Sequence, residues 1–398
     1  MGVQMALIWD TVLILKRIEW KQWTRHASYP EAHLHNIPIK DKEIRGLKMT
    51  KNENLRCPKC GSNNIAEILW GLPAFTDELK KRLDEGKVVF GGCCISDDDP
   101  KYECNECKHR FGQSGFAEEA RELMEKRALK GIVYGAAIGD ALGVPYEFQK
   151  RDTFTCKGMT SGEAHQMPKG TFSDDTSMLL ATLDSIRTCG HVDVEDMRKR
   201  YLAWFREGTY TPNGKAFGIG NTTTKALIQG HGCSDERDNG NGSLMRIAPL
   251  AWTDATDDEI RSVSAITHAH PLSTEACVSF VHILRAVIAG EDLKSAIATN
   301  IPDDPRFAFI REIEDWLRDD VRSTGFVIDT LGAALWCALN TDSYADCVLA
   351  AVNLGDDTDT TACVAGALAG AMYGYDSIYK SWIEQLRGKE VIDRCIFG

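Results

Sequence analysis

Two short acidic segments contain the residues of this chain that are best suited to chemistry. They read Ser-Asp-Asp-Thr-Ser at 173–177 and Gly-Asp-Asp-Thr-Asp-Thr at 355–360, and each precedes an apolar run typical of a helix. Helix capping explains one Ser or Asp at such a place. The second segment, however, has Asp356, Asp357 and Asp359 within four positions. Carboxylates so near to one another raise each other's pKa unless a cation lies between them. The spacing therefore predicts bound cations.

The ligand types in these segments indicate a hard cation. Carboxylates and hydroxyls occur there without histidine or cysteine, so magnesium or manganese is favoured over zinc. If the two segments face each other in the folded chain, they can hold a pair of ions. Such a pair polarises substrate oxygens and lowers the pKa of a bound water, which is a hydrolase design.

The elements that position the acidic segments are predicted to be helices. Beyond Lys130 the chain is rich in Ala and Leu at helical spacing. Two series of glycines recur at every fourth residue, namely Gly131, Gly135, Gly139 and Gly143, and Gly366, Gly370 and Gly374. On a helix this spacing places small residues on one face, where another backbone can approach closely. We expect two central, tightly packed helices.

Composition and length limit the class of protein. A chain of 398 residues favours one large domain and one small one, and its 43% hydrophobic and 26% charged residues are typical of a globular protein. A net charge of -12 argues against nucleic-acid binding through overall charge. Fourteen cysteines in so long a chain favour a reducing cytoplasm over a disulfide scaffold. Asp10 interrupts the apolar N-terminal run, so neither a signal peptide nor a membrane span is expected.

Five motifs in a fixed order point to a known family. They are Gly-Asp-Ala-Leu-Gly-Val-Pro-Tyr-Glu at 139–147, the acidic segment at 173–177, Asn-Gly-Ser-Leu-Met-Arg at 241–246, Thr-His-Ala-His-Pro at 267–271 and the acidic segment at 355–360. Over about residues 127–380 the chain resembles the ADP-ribosylglycohydrolase family, typified by the dinitrogenase reductase-activating glycohydrolase.

The resemblance implies an all-helical bundle domain with two magnesium or manganese ions beneath an ADP-ribose. It also implies a set of metal ligands, which are Ser173, Asp174, Asp175, Asp357, Asp359 and Thr360. Ser173 is a departure, because many members of the family have threonine at this position. Either hydroxyl can bind a cation.

The same resemblance implies three catalytic candidates, Glu147, Asp175 and Asp238. Glu147 ends the first motif, and the alternative is a solvated acid after a helix. Asp238 lies where an acid or base has been proposed for part of the family, although a loop aspartate is often only a turn former. Asp140 in the first motif either supports the site or is an ordinary buried, hydrogen-bonded aspartate.

A further group of residues is expected to bind the ligand. The glycine-rich loop at 238–246 can bring backbone N–H groups close to a phosphate or ribose. The histidines at 268 and 270 either lie at the pocket rim or cap the following helix. The ligand-binding candidates are Asn241, Gly242, Ser243, His268, His270 and Asp356.

The expected reaction is attack of an activated water on the anomeric carbon, with an acid assisting the leaving group. It would release ADP-ribose from a modified protein side chain or a small-molecule conjugate. Two alternatives remain at this point, a family member that binds ADP-ribose without cleaving it and a hydrolase of another nucleotide-like ligand.

Paired cysteines precede this domain. Cys57 and Cys60, and Cys104 and Cys107, form two Cys-x-x-Cys pairs, which predict one zinc ion in a zinc ribbon. A redox dithiol pair is the alternative. The long spacing between the pairs predicts an inserted helix from about Thr76 to Glu85.

The predicted fold class is mainly α, with a helical bundle preceded by a small β-rich zinc-ribbon-like module. The predicted units are an uncertain extension at 1–48, the module at 49–115, a linker helix at 116–126 and the hydrolase domain at 127–398. Contact with nucleic acid is expected only through the zinc module, and contact with a membrane is not expected.

Overall fold

The computed structural model describes residues 55–70, 76–92, 99–113, 116–162 and 164–397. All of these belong to the unit Lys51–Gly398. The predicted extension at 1–48 lies outside the described residues. The domain limits given above remain predictions.

A four-stranded sheet forms the N-terminal part of the described chain. Its strands are β1 (Ile65–Trp70), β2 (Val88–Gly92), β3 (Pro100–Cys104) and β4 (Arg110–Gln113), in the order β2-β1-β3-β4. β1 pairs with β2 in parallel, whereas β3 pairs with β1 and β4 in antiparallel fashion. Parallel neighbours need a crossover connection, and here it contains helix α1 (Asp77–Asp84).

Helix α1 confirms the insertion that the spacing of the cysteine pairs predicts. Thr76 caps the helix, and its hydroxyl accepts a hydrogen bond of 3.2 Å from the backbone N–H of Leu79. The helix lies between β1 and β2 in the chain, so the insertion adds β2 to the sheet as a parallel neighbour of β1.

Twelve further helices follow within the described residues from 116 onward, connected by loops and short 3-10 turns. They are α2 (Phe116–Gly143), α3 (Asp174–Cys189), α4 (Val194–Glu207), α5 (Asn221–Gln229), α6 (Asp257–Ser264), α7 (Pro271–Ile288), α8 (Leu293–Asn300), α9 (Val327–Leu339), α10 (Tyr344–Val352), α11 (Thr358–Tyr373), α12 (Lys380–Gln385) and α13 (Lys389–Phe397). The predicted linker helix at 116–126 is continuous with α2. The predicted fold class, mainly α with a small sheet, is confirmed.

Helices α2 and α11 pack against each other through the two glycine series. A Cβ on Gly135 would lie 2.2 Å from the Gly366 carbonyl oxygen, and one on Gly131 would lie 2.5 Å from that of Gly370. Any larger residue would separate the helices, so glycine permits the close contact. Gly374 is an exception: it follows the last residue of α11 with φ of 75° and ends the helix.

Helix α7 lies in the hydrophobic core of the helical domain. By length and composition alone it could cross a membrane, but 61% of it is buried inside the protein. Its inward residues include Phe280, Val281 and Leu284, each 1% exposed or less. Such burial is typical of a core helix.

Candidate active site

The two acidic segments lie at the starts of α3 and α11. Ser173 precedes α3, and its hydroxyl accepts a hydrogen bond of 3.3 Å from the Asp175 N–H. Asp357 precedes α11. The last turn of α2 meets the start of α11, where the Thr358 hydroxyl donates to the Gly143 carbonyl at 2.8 Å. The glycine contact between α2 and α11 therefore brings the end of the first motif to the second acidic segment.

Three carboxylates from three helices converge at this point. Oxygens of Asp140, Asp175 and Asp359 all lie within 4.8 Å of one another, and the three residues are buried. Asp140 also fixes the start of α3, because it accepts hydrogen bonds from the Ser173 N–H and from the N–H and hydroxyl of Thr176. Asp140 is thus a buried, hydrogen-bonded aspartate that lies within the acidic centre, and its support of the reaction stays a prediction.

The remaining predicted metal ligands lie around this centre. Asp174 is 6% exposed, and a Cβ on Gly218 would lie 2.4 Å from its Oδ1, so glycine makes room for this carboxylate. The Ser173 hydroxyl donates to Asp175 Oδ2 at 2.8 Å. Thr360 is also buried, and its backbone N–H donates to Asp359 Oδ1 at 3.0 Å. The sequence-predicted set is therefore gathered in one region, and its role as a ligand set remains a prediction.

The electrostatics of the centre favour bound cations. Burial, followed by the neighbouring carboxylates, raises the pKa of Asp174, Asp175 and Asp359 well above the usual range. Burial raises the pKa of Asp140 to about 6, even though its hydrogen bonds lower it. Asp175 Oδ1 and Asp357 Oδ1 are buried without a hydrogen-bond partner among the described residues. Oxygen donors of this kind fit a magnesium or manganese ion, which would offset the repulsion.

His165 and Glu147 form a second group beside the three aspartates. They make an ion pair, and their side chains lie with Asp359 within 4.8 Å of one another. The hydrogen bond that the Glu147 carboxylate accepts from His165 raises the pKa of His165. The His165 ring also lies 5.3 Å from that of Phe217, measured between centroids. Glu147 is therefore not a fully solvated acid, because its side chain is only 11% exposed and pairs with His165.

Sequence reasoning missed His165. It lies in an irregular loop between the first two site motifs, outside any motif quoted above. The available signal was weak, because His165 is a single histidine on a loop that has no regular pattern of polar or apolar residues. Only the fold shows that this loop returns to Glu147.

The glycine-rich loop supports the second acidic segment. The Asn241 side-chain amide donates to Asp357 Oδ2 and to the Thr330 hydroxyl, both at 2.9 Å. The Asp357 N–H donates to the Ser323 carbonyl at 3.0 Å. These bonds fix the Asp357 carboxylate and leave its Oδ1 free to face a cation.

Several other predicted ligand-binding residues have structural partners. Ser243 is buried and accepts a hydrogen bond of 2.9 Å from the Ser264 hydroxyl. His268 is 2% exposed, and burial together with Arg246 lowers its pKa to about 3, so it is neutral. A Cβ on Gly242 would lie 2.8 Å from the His268 ring. Both side chains are thus packed inside the protein, and their contact with a ligand remains a prediction.

The placements of His270, Asp238 and Asp356 differ from one another. His270 Nδ1 accepts a hydrogen bond of 3.2 Å from the Leu272 N–H and caps α7, as the alternative reading has it. Asp238 is buried and pairs with Lys225, with 3.1 Å between Oδ2 and Nζ. Asp356 is exposed and has a φ of 58°. The catalytic role of Asp238 and the ligand contact of Asp356 stay predictions.

The four predicted zinc cysteines converge in the N-terminal sheet region. Their sulfur atoms lie within 4.8 Å of one another, with 3.5 Å between Cys57 and Cys107 and 3.5 Å between Cys60 and Cys104. All four are free thiols. Four cysteines in this arrangement fit a tetrahedral ion such as zinc.

The helical domain and its buried acidic centre have the design of a hydrolase. A family model described as ADP-ribosylglycohydrolase matches residues 121–396. The chain therefore belongs to the ADP-ribosylglycohydrolase family, and the predicted resemblance is confirmed.

Similar proteins agree with this family. The chain is 38% identical to the "ADP-ribosylarginine hydrolase Tri1" of Serratia proteamaculans (strain 568), over 66% of this chain and 76% of that protein. It is 29% identical to the "ADP-ribosyl-[dinitrogen reductase] glycohydrolase" of Rhodospirillum rubrum, over 65% of this chain and 90% of that protein. A solved structure described as "ADP-ribosylglycohydrolase-related protein complex" is 29% identical, with a TM-score of 0.59, and covers 69% of this chain and 97% of its own.

Proposed function

We propose that this protein hydrolyses the bond between ADP-ribose and a modified arginine side chain, with two magnesium or manganese ions in the acidic centre. The observation that carries the proposal is the convergence of Asp140, Asp175 and Asp359, whose carboxylate oxygens lie within 4.8 Å of one another in a buried place. Carboxylates so close are stabilised either by protons or by cations between them, and cations allow all of them to stay ionised.

The ions would be held by oxygen ligands from both acidic segments. The proposed ligands are Ser173, Asp174, Asp175, Asp357, Asp359 and Thr360. The free, buried oxygens of Asp175 and Asp357 support the assignment. Such ions polarise substrate oxygens and supply a more acidic water.

The protein's own side chains position the reacting groups. Asp140 fixes the start of α3 through three hydrogen-bond donors, and Asn241 fixes Asp357. Glu147 lies with Asp359 and His165, with side-chain atoms of the three within 4.8 Å of one another, and this position suits it to act as an acid or base beside the ions. His165 fixes the Glu147 carboxylate by the ion pair.

The arginine linkage is supported by two relatives named ADP-ribosylarginine hydrolase. The second of these, from Pseudomonas putida (strain GB-1), is 34% identical over 72% of this chain and 81% of that protein. Serine-linked or small-molecule ADP-ribose is the competing substrate class.

A panel of substrates tests this proposal. Arginine-linked, serine-linked and free ADP-ribosyl conjugates are incubated with magnesium, and the products are identified by mass spectrometry. We expect ADP-ribose and unmodified arginine from the first substrate, and no product with Asp357→Ala. A protein that binds ADP-ribose in calorimetry but releases no product from any conjugate would instead be a non-catalytic binder.

The cysteine cluster supports a proposal of its own. One zinc ion bound by Cys57, Cys60, Cys104 and Cys107 would fold the sheet around it. The twelve cysteines that the structure describes are all free thiols, which supports a cytoplasmic location. Zinc content measured by mass spectrometry of the native protein, with Cys57→Ser as the control, tests the metal assignment.

A further inference from the structure

A separate pocket is lined by residues of α9 and of the chain before it. It has a volume of about 500 Å³, and its walls include Phe309, Trp316, Asp320, Arg322 and Asp329. The residues of this pocket belong to none of the motifs that build the acidic centre.

The pocket combines an aromatic wall with carboxylates. The rings of Phe309 and Trp316 lie 5.2 Å apart between centroids at 31°. A Cβ on Gly332 would lie 3.0 Å from the Phe309 ring, so the absence of a side chain at this position leaves room for the ring. The backbone of Trp316 is fixed by a 3.0 Å hydrogen bond that its carbonyl accepts from the Trp336 indole N–H. The aromatic wall is therefore preformed in the protein without a ligand.

The charges of the pocket suit a cationic ligand. Asp329 is oriented by a hydrogen bond of 2.7 Å from the Thr324 hydroxyl, and the exposed Asp320 adds a second carboxylate. Arg322 is the one cationic side chain among the described lining residues. Two carboxylates disfavour a diphosphate, whereas a planar guanidinium can both stack on an aromatic ring and donate to a carboxylate.

The pocket is joined to the acidic centre by the first turn of α9 and the segment before it. Asp329 lines the pocket, while its neighbour Thr330 bonds to Asn241 on the side of the centre. Val321 lines the pocket, while the Ser323 carbonyl accepts from the Asp357 N–H. The same two chain segments therefore line the pocket and hold Asn241 and Asp357 in the centre.

We propose that this pocket binds an unmodified arginine side chain of the substrate protein, close in the chain or in space to the ADP-ribosylated residue. The inference rests on the proposed function, because it names a feature of the protein substrate of that site. The preferred target would then be a protein with a basic surface around the modified arginine. The net charge of -12 agrees with such a target, because opposite charges attract.

Matched peptides test the pocket directly. One peptide has a single ADP-ribosylated arginine and a neighbouring free arginine, and its partner has citrulline, the neutral isostere, in place of the free arginine. We expect the arginine peptide to have a KM about tenfold lower with kcat unchanged, since the contact is equal in ground and transition states.

Variants assign the effect to the pocket. Asp320→Asn combined with Asp329→Asn, and separately Trp316→Leu, should bring the KM of the two peptides together. Asp319→Asn is the matched control, because this exposed aspartate is next in the chain and does not line the pocket. Hydrolysis of ADP-ribosylated free arginine should be the same in all folded variants. Thermal unfolding checks that each variant is folded.

Calorimetric titration with the two unmodified peptides separates the pocket from the reaction. Tighter binding of the arginine peptide by wild type, lost in the pocket variants, supports the inference even if no conjugate is hydrolysed, which would refute only the proposed function. Equal affinity and equal KM for the two peptides would overturn the inference while leaving hydrolysis in place. Loss of ADP-ribose affinity in the pocket variants would also overturn it, because the occupant would then be the nucleotide.

Discussion

Removing divalent cations should make the stability of the helical domain depend strongly on pH. The buried aspartates of the centre have pKa values raised by burial and by one another. A raised pKa means that the folded state holds a proton that the unfolded state has lost. The stabilising contribution of each group is thus complete below its unfolded pKa and is lost as the pH rises through its folded pKa.

Asp140 gives the scale of this effect. Its pKa is raised from 3.8 to about 6, a difference of roughly two units, and one unit corresponds to about 1.4 kcal/mol. Ionising this group in the metal-free protein therefore costs about 3 kcal/mol in the free energy of unfolding. The pKa values of Asp174, Asp175 and Asp359 are also raised, so ionising these groups lowers the free energy of unfolding further.

Urea unfolding followed by helical circular dichroism measures this dependence. In a chelator, the urea midpoint should fall between about pH 5 and about pH 8, and saturating magnesium or manganese should restore it at the higher pH. Asp175→Asn should raise the midpoint of the metal-free protein at the higher pH, because a buried charge is removed, and should abolish the gain from metal. The exposed Asp258→Asn serves as the control. A midpoint that is independent of pH in chelator, or Asp175→Asn behaving like the control, would refute the reasoning.

Three further variants test other parts of the account. Gly139→Val should destabilise the domain by more than about 3 kcal/mol in urea unfolding, because even a Cβ would lie 1.9 Å from a carbonyl oxygen of α11; an unchanged midpoint would contradict the close packing. His165→Ala should lower kcat about tenfold with metal affinity retained, since it frees Glu147; an unchanged kcat would rule out the positioning role. Cys57→Ser with Cys104→Ser should remove one zinc per chain in mass spectrometry while the α-helical signal remains, and a full zinc content would show that the ion lies elsewhere.

Patterns that are local in sequence predicted much of the fold. The fourth-residue glycines at 131–143 gave the face on which α2 meets α11, because helical periodicity places such residues on one side. The long spacing between the two cysteine pairs predicted α1, which in the structure begins after the cap Thr76. Gly374 continues the same spacing but ends the helix, since a glycine with positive φ satisfies the helix terminus as readily as it packs.

Features that depend on tertiary contacts could not be read from the chain. The crowding of aspartates predicted a shared site, but the ion pair of Asp238 with Lys225 and that of Glu147 with His165 join segments whose proximity only the folded backbone determines. His270 had two readings, a pocket contact and a helix cap. The cap is present because the orphan N–H groups at the start of α7 need an acceptor.

Hydrolysis by metal-stripped protein tests the central claim most directly. The protein is treated with chelator, dialysed and given an arginine-linked ADP-ribosylated protein, and released ADP-ribose is measured before and after magnesium or manganese is added. We expect no release from the stripped protein, recovery with added metal, and no recovery in Asp359→Asn. Full release by the stripped protein, or by Asp359→Asn, would contradict it.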